Sequence, residues 1–338
     1  MHLTWHAANG DTLVIADPSQ AVPEPMFRYL SSDGFGGTDN EIQTRRGAYQ
    51  DGTTLQQVRL SPRTLMIRFL ILAADRAGVE QKRRRIAAAF NPRNGLGTLV
   101  WTQEDGSQYA LRCVALSGSP SFTPGRQAQG RTWQEVIVDL LAPDPCWYDA
   151  TATTLPLAGL TGGATFPISF PCIFAVQGST RVIINEGDIA APVRIQIPGP
   201  CQNPVVENLS TGEKIGLQME VDEGETIVID TTYGNLICRL QARNGTQTNA
   251  MQYLTAESTF WRLQPGVNIV TFSAPSGSVE VTIEYASRYT TLPPPPPRHT
   301  IAKGITLYLT PQGPQPTSPH PSPPPPAGPA APAPYGSK

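Results

Sequence analysis

The chain contains 338 residues, of which 35 are proline and 30 are glycine, and its net charge is −2. Seventeen prolines lie in residues 291–338, so a body of ordinary composition precedes a proline-rich C-terminal segment. That segment carries three cations and no acid, so the body has a charge of about −5, which argues against free nucleic-acid binding.

Short strands dominate the predicted body. Strand-like apolar patterns occur, in chain order, at 65–72, 109–114, 136–140, 193–197, 226–230, 267–272 and 279–285. Turn dipeptides such as Asn-Gly and Asp-Gly separate them. The pattern at 65–72 is apolar on both faces, which is typical of a strand that is buried on both sides. Together the segments predict a mainly β fold of antiparallel sandwiches.

One segment predicts an α-helix. It runs from Asp75, a candidate N-cap, to Phe90, and an Asn-Pro pair then ends it. The basic run at 82–85 covers every side of this helix, so one of its cations must lie near the apolar face. A solvated helix face explains the run. The functional alternative is a basic patch facing a partner, with Arg83 and Arg84 as candidates.

A change in composition near residue 150 divides the body. The segments 151–154 and 162–163 are typical of a linker. The predicted units are a first domain at 1–152, a second domain at 153–285 and the proline-rich segment at 291–338.

Catalytic groups are scarce in this sequence. The four histidines are His2, His6, His299 and His320. The region from 7 to 298 therefore lacks the histidine that Ser-His-Asp catalysis, Cys-His catalysis and His-based metal sites require. Acid pairs such as Glu223 and Glu225 flank turn glycines and do not predict a glycosidase. We expect a protein that is not an enzyme and has no cofactor and no metal.

Cysteine usage and apolar patterning indicate where the protein is made. Five cysteines, none in a C-x-x-C pair, argue against a disulfide framework and predict buried, reduced thiols in a cytosol. The N-terminus lacks the pattern of a secretory signal. No run of 18 apolar residues occurs, so we expect no membrane partner.

Short motifs follow one another along both halves of the body. The first half contains GFGGTD at 34–39, QTRRGAYQDG at 43–52, LSPR at 60–63, RRIAAAFNP at 84–92 and DPCWYD at 144–149. The second half contains FPISFP at 166–171, NEGD at 185–188, IPGP at 197–200, NLSTGE at 208–213, FW at 260–261 and GVN at 266–268. In this order the motifs resemble the distal tail protein (Dit) family of siphophages.

This resemblance implies a fold, an assembly and a location. The implied fold is a hub β-sandwich with one helix, followed by a galectin-like sandwich, and a strand within 281–290 completes the hub in some relatives. The implied assembly is a ring of six copies that joins the tail tube protein to the tail-tip hub protein. Receptor-binding or side-fibre proteins attach to its outer domains. The ring lies at the distal end of the virion tail, and DNA contacts it only in passage.

A ring needs heterologous interfaces that close on themselves. Arg45 and Arg46, in a stretch between predicted strands, are candidate ion-pair partners between subunits, and Tyr49 lies in the same motif. Together with Arg83 and Arg84 they make up the predicted ring or partner interface. The alternative is that the loop arginines are exposed and contribute little.

The C-terminal segment departs from the family pattern. Five consecutive prolines at 293–297 favour a stiff, extended chain. The proline-free stretch 301–310 alternates Ile305, Leu307 and Leu309, which predicts a strand that docks on a partner's sheet edge. We expect 291–338 to tether a receptor-binding or side-fibre protein; the alternative is a disordered stalk.

A second function competes with the ring. A galectin-like sandwich could serve as a carbohydrate-binding module of a host-adhesion device, because exposed aromatic rings stack on sugars. The candidates are Tyr233, Tyr253, Phe260 and Trp261, although core packing is the simpler role for Trp261.

Overall fold

The computed structural model describes residues 2–16, 27–122, 125, 128–157, 178–274 and 279–293. Within these ranges the fold is mainly β with one α-helix, which confirms the predicted fold class. Two groups of predictions lie outside the described residues: the segment 158–177 with Cys172, and the proposed docking strand with Ile305, Leu307 and Leu309.

The first half of the chain folds around a curled sheet. Its elements are β1 (His2–His6), β2 (Thr12–Ala16), β3 (Phe27–Asp33), β4 (Asn40–Arg45), β5 (Thr54–Leu60), β6 (Arg63–Leu72), α1 (Arg76–Ala89), a 3-10 turn (Pro92–Asn94), β7 (Gly97–Thr102), β8 (Gln108–Ala115), β9 (Trp133–Ala142) and β10 (Trp147–Asp149). Seven strands follow the order β2-β1-β7-β8-β9-β6-β3, and β10 pairs with β8. The two end strands, β2 and β3, contact each other, so the sheet curls around one hydrophobic core.

Helix α1 confirms the helix predicted from Asp75 to Phe90. The Asp75 carboxylate accepts a hydrogen bond from the Gly78 N–H at 2.7 Å, as an N-cap should. Ile86 on the inner face of the helix is fully buried. At the C-terminal end, the Phe90 ring stacks on Trp5 with ring centres 4.8 Å apart, which fixes the helix against β1.

Strand β6 is the central strand of this core. Leu65, Ile67, Phe69 and Ile71 are buried on one face, whereas Met66 and its neighbours on the other face are only half-buried. The prediction of burial on both faces is therefore wrong for the second face.

The second half forms a β-sandwich. Its elements are β11 (Thr153–Leu157), β12 (Gly178–Asn185), β13 (Val193–Pro198), β14 (Cys201–Gln202), β15 (Val205–Asn208), β16 (Glu213–Gly216), β17 (Glu220–Val221), β18 (Thr226–Asp230), β19 (Ile237–Gln241), β20 (Gln247–Asn249), a 3-10 turn (Met251–Tyr253), β21 (Gly266–Ser273), β22 (Val281–Tyr285) and β23 (Arg288–Tyr289). A sheet ordered β11-β22-β13-β18-β19-β20 and a sheet ordered β12-β21-β15-β16 enclose a second core. Thr153 and Thr154 belong to β11 and pair with β22, so they are not part of a linker.

The end of the described chain connects the two cores. Strand β22 lies in the second sandwich, whereas β23 crosses to the first sheet and pairs with β10. Arg288 forms an ion pair with Asp144, and the Tyr289 ring meets Tyr109 edge to face at 5.5 Å. Gly187 lies so close to the backbone of β23 that a Cβ on it would be 2.3 Å from the Arg288 carbonyl oxygen. Close backbone packing therefore joins the two halves.

The described cysteines are all buried thiols. Cys113, Cys146, Cys201 and Cys238 are free, and burial raises the pKa of Cys146 to about 11. This agrees with the predicted reduced state. Within the described ranges, no helix has both the length and the apolar character needed to cross a membrane.

Candidate interface

Strands β4 and β5 form a hairpin that stands apart from both cores. They pair with each other in a separate two-stranded sheet, and every residue of both strands is exposed. We call residues 40–60 the arm. A two-stranded hairpin alone is only marginally stable in water, because it has no third layer to bury a face. The arm is therefore a surface that another polypeptide would stabilise.

The arm has one apolar and one polar face. Ile42 and Val58 lie directly opposite each other across the strands and are 62% and 49% exposed. Leu60 continues the same face opposite Asn40. The neighbouring pairs, Glu41 with Arg59 and Gln43 with Gln57, point to the other face because side chains alternate along a strand. Val58 and Leu60 alternate with polar residues, which is a weak sequence signal of this apolar face.

The base of the arm is anchored firmly to the curled sheet of the first half of the chain. The Ser61 N–H donates to the Asp39 carbonyl oxygen at 2.9 Å and closes the hairpin. Gly34 has a φ of +81°, and a Cβ there would lie 2.1 Å from the Thr64 carbonyl oxygen. Glycine is therefore required where the chain turns from β3 towards the arm.

Arg63 holds this base in place from inside the protein. It is only 3% exposed, and its guanidinium donates to the carbonyl oxygens of Gly34 at 2.7 Å and Gly36 at 2.6 Å. It also donates to the carbonyl oxygens of Pro145 at 2.7 Å and Thr290 at 2.5 Å. Burial lowers the pKa of Arg63, since the charged form loses its hydration. One side chain thus ties the arm base to the end of the described chain, a role that sequence reasoning missed.

The tip of the arm brings three predicted interface residues together. Arg45 is the last residue of β4, so the prediction that it lies between strands is wrong. Arg46 lies in the loop that follows β4. The Arg46 Nε–H donates to the Gln50 carbonyl oxygen at 3.1 Å. Tyr49 has a φ of +65° and a fully exposed side chain. Arginine and tyrosine, like tryptophan, are enriched among the residues that dominate binding energy at protein interfaces.

The other two predicted interface residues lie on α1. Arg83 is engaged within the chain, because its Nη1 lies 3.0 Å from Glu80 and its guanidinium sits 4.6 Å from the centre of the Phe122 ring. Arg84 is exposed. A partner role for Arg83 and Arg84 stays a prediction.

The outer face of the four-stranded sheet is a second uncovered apolar surface. Val182 and Ile269 lie opposite each other, as do Ile184 and Val267, and all four side chains are exposed. Contiguous apolar patches of this kind commonly mark contacts with another polypeptide.

The four aromatic candidates for sugar stacking separate into two groups. Trp261 is buried, and its Nε1–H donates to the Val206 carbonyl oxygen at 3.3 Å, while the half-buried Phe260 packs against the same core. Tyr233 and Tyr253 are exposed. Only the second group could meet a ligand.

Two family models match the sequence. One describes a phage tail protein RIFT-related domain and matches residues 24–134. The other describes the C-terminal domain of a siphovirus-type tail component and matches residues 186–289, so together they cover more than half of the chain. The curled sheet, the sandwich and the projecting arm thus belong to a structural component of a phage tail. The chain is a member of the distal tail protein (Dit) family of siphophages.

Solved structures share the fold over most of the body. The Dit protein (gp 19.1) of phage SPP1, called a paradigm of hub adsorption apparatus in phages that infect Gram-positive bacteria, matches with a TM-score of 0.58 and 13% identity. That match covers 85% of this chain and 98% of the SPP1 protein. The phage p2 baseplate in its activated conformation, solved with Ca and with Sr, matches with a TM-score of 0.50 and 12% identity. It covers 86% of this chain and 99% of the matched one. No sequence among the curated proteins matches.

Proposed function

We propose that this protein forms a closed ring of six copies at the distal end of a phage tail. The ring joins the tail tube protein to the tail-tip hub protein and carries peripheral receptor-binding or side-fibre proteins. Family membership supports the copy number and the partners. The observation that supports the ring itself is the arm, whose apolar side chains are exposed in a single copy.

The arm has the properties of a heterologous contact. Its base is anchored by Arg63, so its direction is fixed by the domain from which it projects. Its apolar face and its exposed Tyr49 tip differ in chemistry from the polar opposite face. An arm that lies on a different surface of the next copy repeats around an axis, and such contacts form rings when the rotation closes.

The size of the apolar face suits a contact that is repeated many times. Complete burial of a Val, Leu or Ile side chain contributes about 1.5–3 kcal/mol. About half of each of the Ile42, Val58 and Leu60 side chains is still exposed, so their burial by a neighbouring copy would contribute about 3 kcal/mol to each contact. A single contact of this strength is weak, whereas in a closed ring every copy makes two such contacts, one with each neighbour.

The role that we propose is structural, because both matching family models describe phage tail proteins. In the part of the chain that the structure describes, no three His, Cys, Asp or Glu side chains are grouped as metal ligands. The acidic body is consistent with DNA that passes through the ring without being held.

The start of the C-terminal segment supports a tether that leaves from the first domain. Leu292 packs against the first core, and the Gln103 Nε2 donates to the Pro293 carbonyl oxygen at 2.6 Å. In phage particles that lack residues 294–338, we expect intact tail tips that have lost one peripheral protein by mass spectrometry. Unchanged tail-tip composition would contradict the tether.

Native mass spectrometry of the purified full chain tests the ring. We expect a single hexameric species that persists on dilution to micromolar protein. A monomer at all concentrations, or a ladder of open oligomers without a closed species, would contradict the proposal.

A further inference from the structure

A groove opens at one edge of the second sandwich, beside the edge strand β20. Its volume is about 520 Å³, within the range of roughly 300–1,000 Å³ that small-molecule sites occupy. Met219 and Leu240 form an apolar floor, and Leu240 packs against the second core. The rim carries Asn249, Gln252 and Tyr253. The groove therefore combines a fixed floor, two side-chain amides and an exposed aromatic ring.

The rim residues are held in place by the backbone. Tyr253 ends the 3-10 turn Met251–Tyr253, and its carbonyl oxygen accepts a hydrogen bond from the Gln218 N–H at 2.7 Å. The Asn249 Oδ1 accepts from the Met251 N–H at 3.0 Å, which leaves the Nδ2 amino group of Asn249 to offer a ligand. The backbone at Tyr253 and the Asn249 side chain are therefore ordered before a ligand arrives, which lowers the free energy lost to ordering them on binding.

The chemistry of the rim selects the class of ligand. Glu220 is the one charged side chain among the residues that line the groove, and none of them is a cation. Phosphates, nucleic acids and acidic sugars would meet a carboxylate with no compensating charge. Side-chain amides both donate and accept, as the hydroxyl groups of a sugar require, and Glu220 accepts from hydroxyl groups. The Tyr253 ring offers an apolar face with a polar tip.

We propose that this groove binds a neutral carbohydrate of the hexose or N-acetylhexosamine class. Tyr253 stacks on the apolar face of one sugar ring, while Asn249, Gln252 and Glu220 hydrogen-bond its hydroxyl groups. The site is independent of the arm. A peptide that added to β20 would use the strand backbone and would not need the Tyr253 ring.

Tyr233 provides a matched control in the same half of the chain. It is 74% exposed, but one face of its ring is covered by the Arg262 guanidinium, 3.4 Å from the ring centre. It also does not line the groove. Loss of its ring therefore removes an exposed aromatic residue without touching the proposed site.

Binding of the full chain to immobilised neutral oligosaccharides of glucose, galactose, rhamnose and N-acetylglucosamine tests the proposal. We expect the wild type and Tyr233→Ala to bind at least one of them equally well, and Tyr253→Ala to bind at least tenfold more weakly. Gln252→Ala, which truncates an exposed side chain, should also weaken binding and guards against misfolding of the tyrosine variant. Retention of no neutral oligosaccharide, a preference for acidic ones, or equal binding by Tyr253→Ala would overturn the proposal. The size of the oligomer, measured in parallel, reports on the ring alone.

Discussion

Replacing the apolar pair of the arm by serine, in an Ile42→Ser/Val58→Ser variant, should break the ring without unfolding the subunit. The two side chains are 62% and 49% exposed, so a neighbouring copy has about half of each left to cover. At about 1.5–3 kcal/mol for complete burial, the pair contributes about 2–3 kcal/mol to each subunit contact. Each association constant should therefore fall roughly 30- to 150-fold.

Sedimentation velocity over a range of protein concentrations measures this loss, and urea unfolding of the dissociated subunit measures stability. The matched control is Gln43→Ser/Gln57→Ser, which changes the adjacent cross-strand pair on the polar face of the arm. We expect the control to assemble as the wild type does, and both variants to keep subunit stability within about 0.5 kcal/mol. Unchanged assembly of the Ile42/Val58 variant, or an equal loss in the control, would refute the assignment of the apolar face as the contact.

Three further predictions concern the anchor of the arm and the junction of the two cores. Arg63→Leu leaves four carbonyl oxygens without their charged donor and should lower the free energy of unfolding by at least about 3 kcal/mol in urea titrations. Arg59→Leu on the exposed arm should change it by less than about 0.5 kcal/mol, and similar values for both variants would contradict the role of Arg63 as a buried anchor. Gly34→Ala should lower the free energy of unfolding by more than about 1 kcal/mol, because φ is +81° and the new Cβ would clash with the Thr64 carbonyl oxygen. The Cβ of Gly36→Ala meets nothing within 4 Å, so this control should be tolerated, and equal melting temperatures for the two variants would contradict this geometry. Burial raises the pKa of Asp149 above its ordinary value of 3.8, so the folded protein binds more protons than the unfolded chain just above that pH, and stability falls as the pH rises through this window. The stability of Asp149→Asn relative to the wild type should therefore grow as the pH rises above about 4, and a difference that is flat with pH would show that Asp149 titrates normally.

The sequence predicted those elements whose signals are local. Helix α1 has its N-cap at Asp75, and the Asn-Pro pair after Phe90 stops it, so the order of neighbouring residues decides both ends. Likewise, the apolar runs at 65–72 and 226–230 form strands because their β-branched, aliphatic and aromatic side chains fit a pleated, half-buried surface.

The contacts that the sequence did not predict join residues that are distant in the chain. Arg63 and Thr290 are 227 positions apart, and nothing in the LSPR motif shows that its arginine is buried. The arm is hard to recognise in the sequence for a different reason, because its strands are polar enough to resemble a loop. Its apolar face becomes clear only when the hairpin places Ile42 opposite Val58. A polar run carries no strong signal of strand or turn, so the sequence does not show that Arg45 belongs to β4.

A cryo-electron microscopy map of the purified full chain tests the central claim most directly. The account predicts sixfold rings in which each arm lies on the adjacent subunit, with Ile42 and Val58 buried at that contact. Rings in which the arms project into solvent, or particles without rotational symmetry, would contradict it.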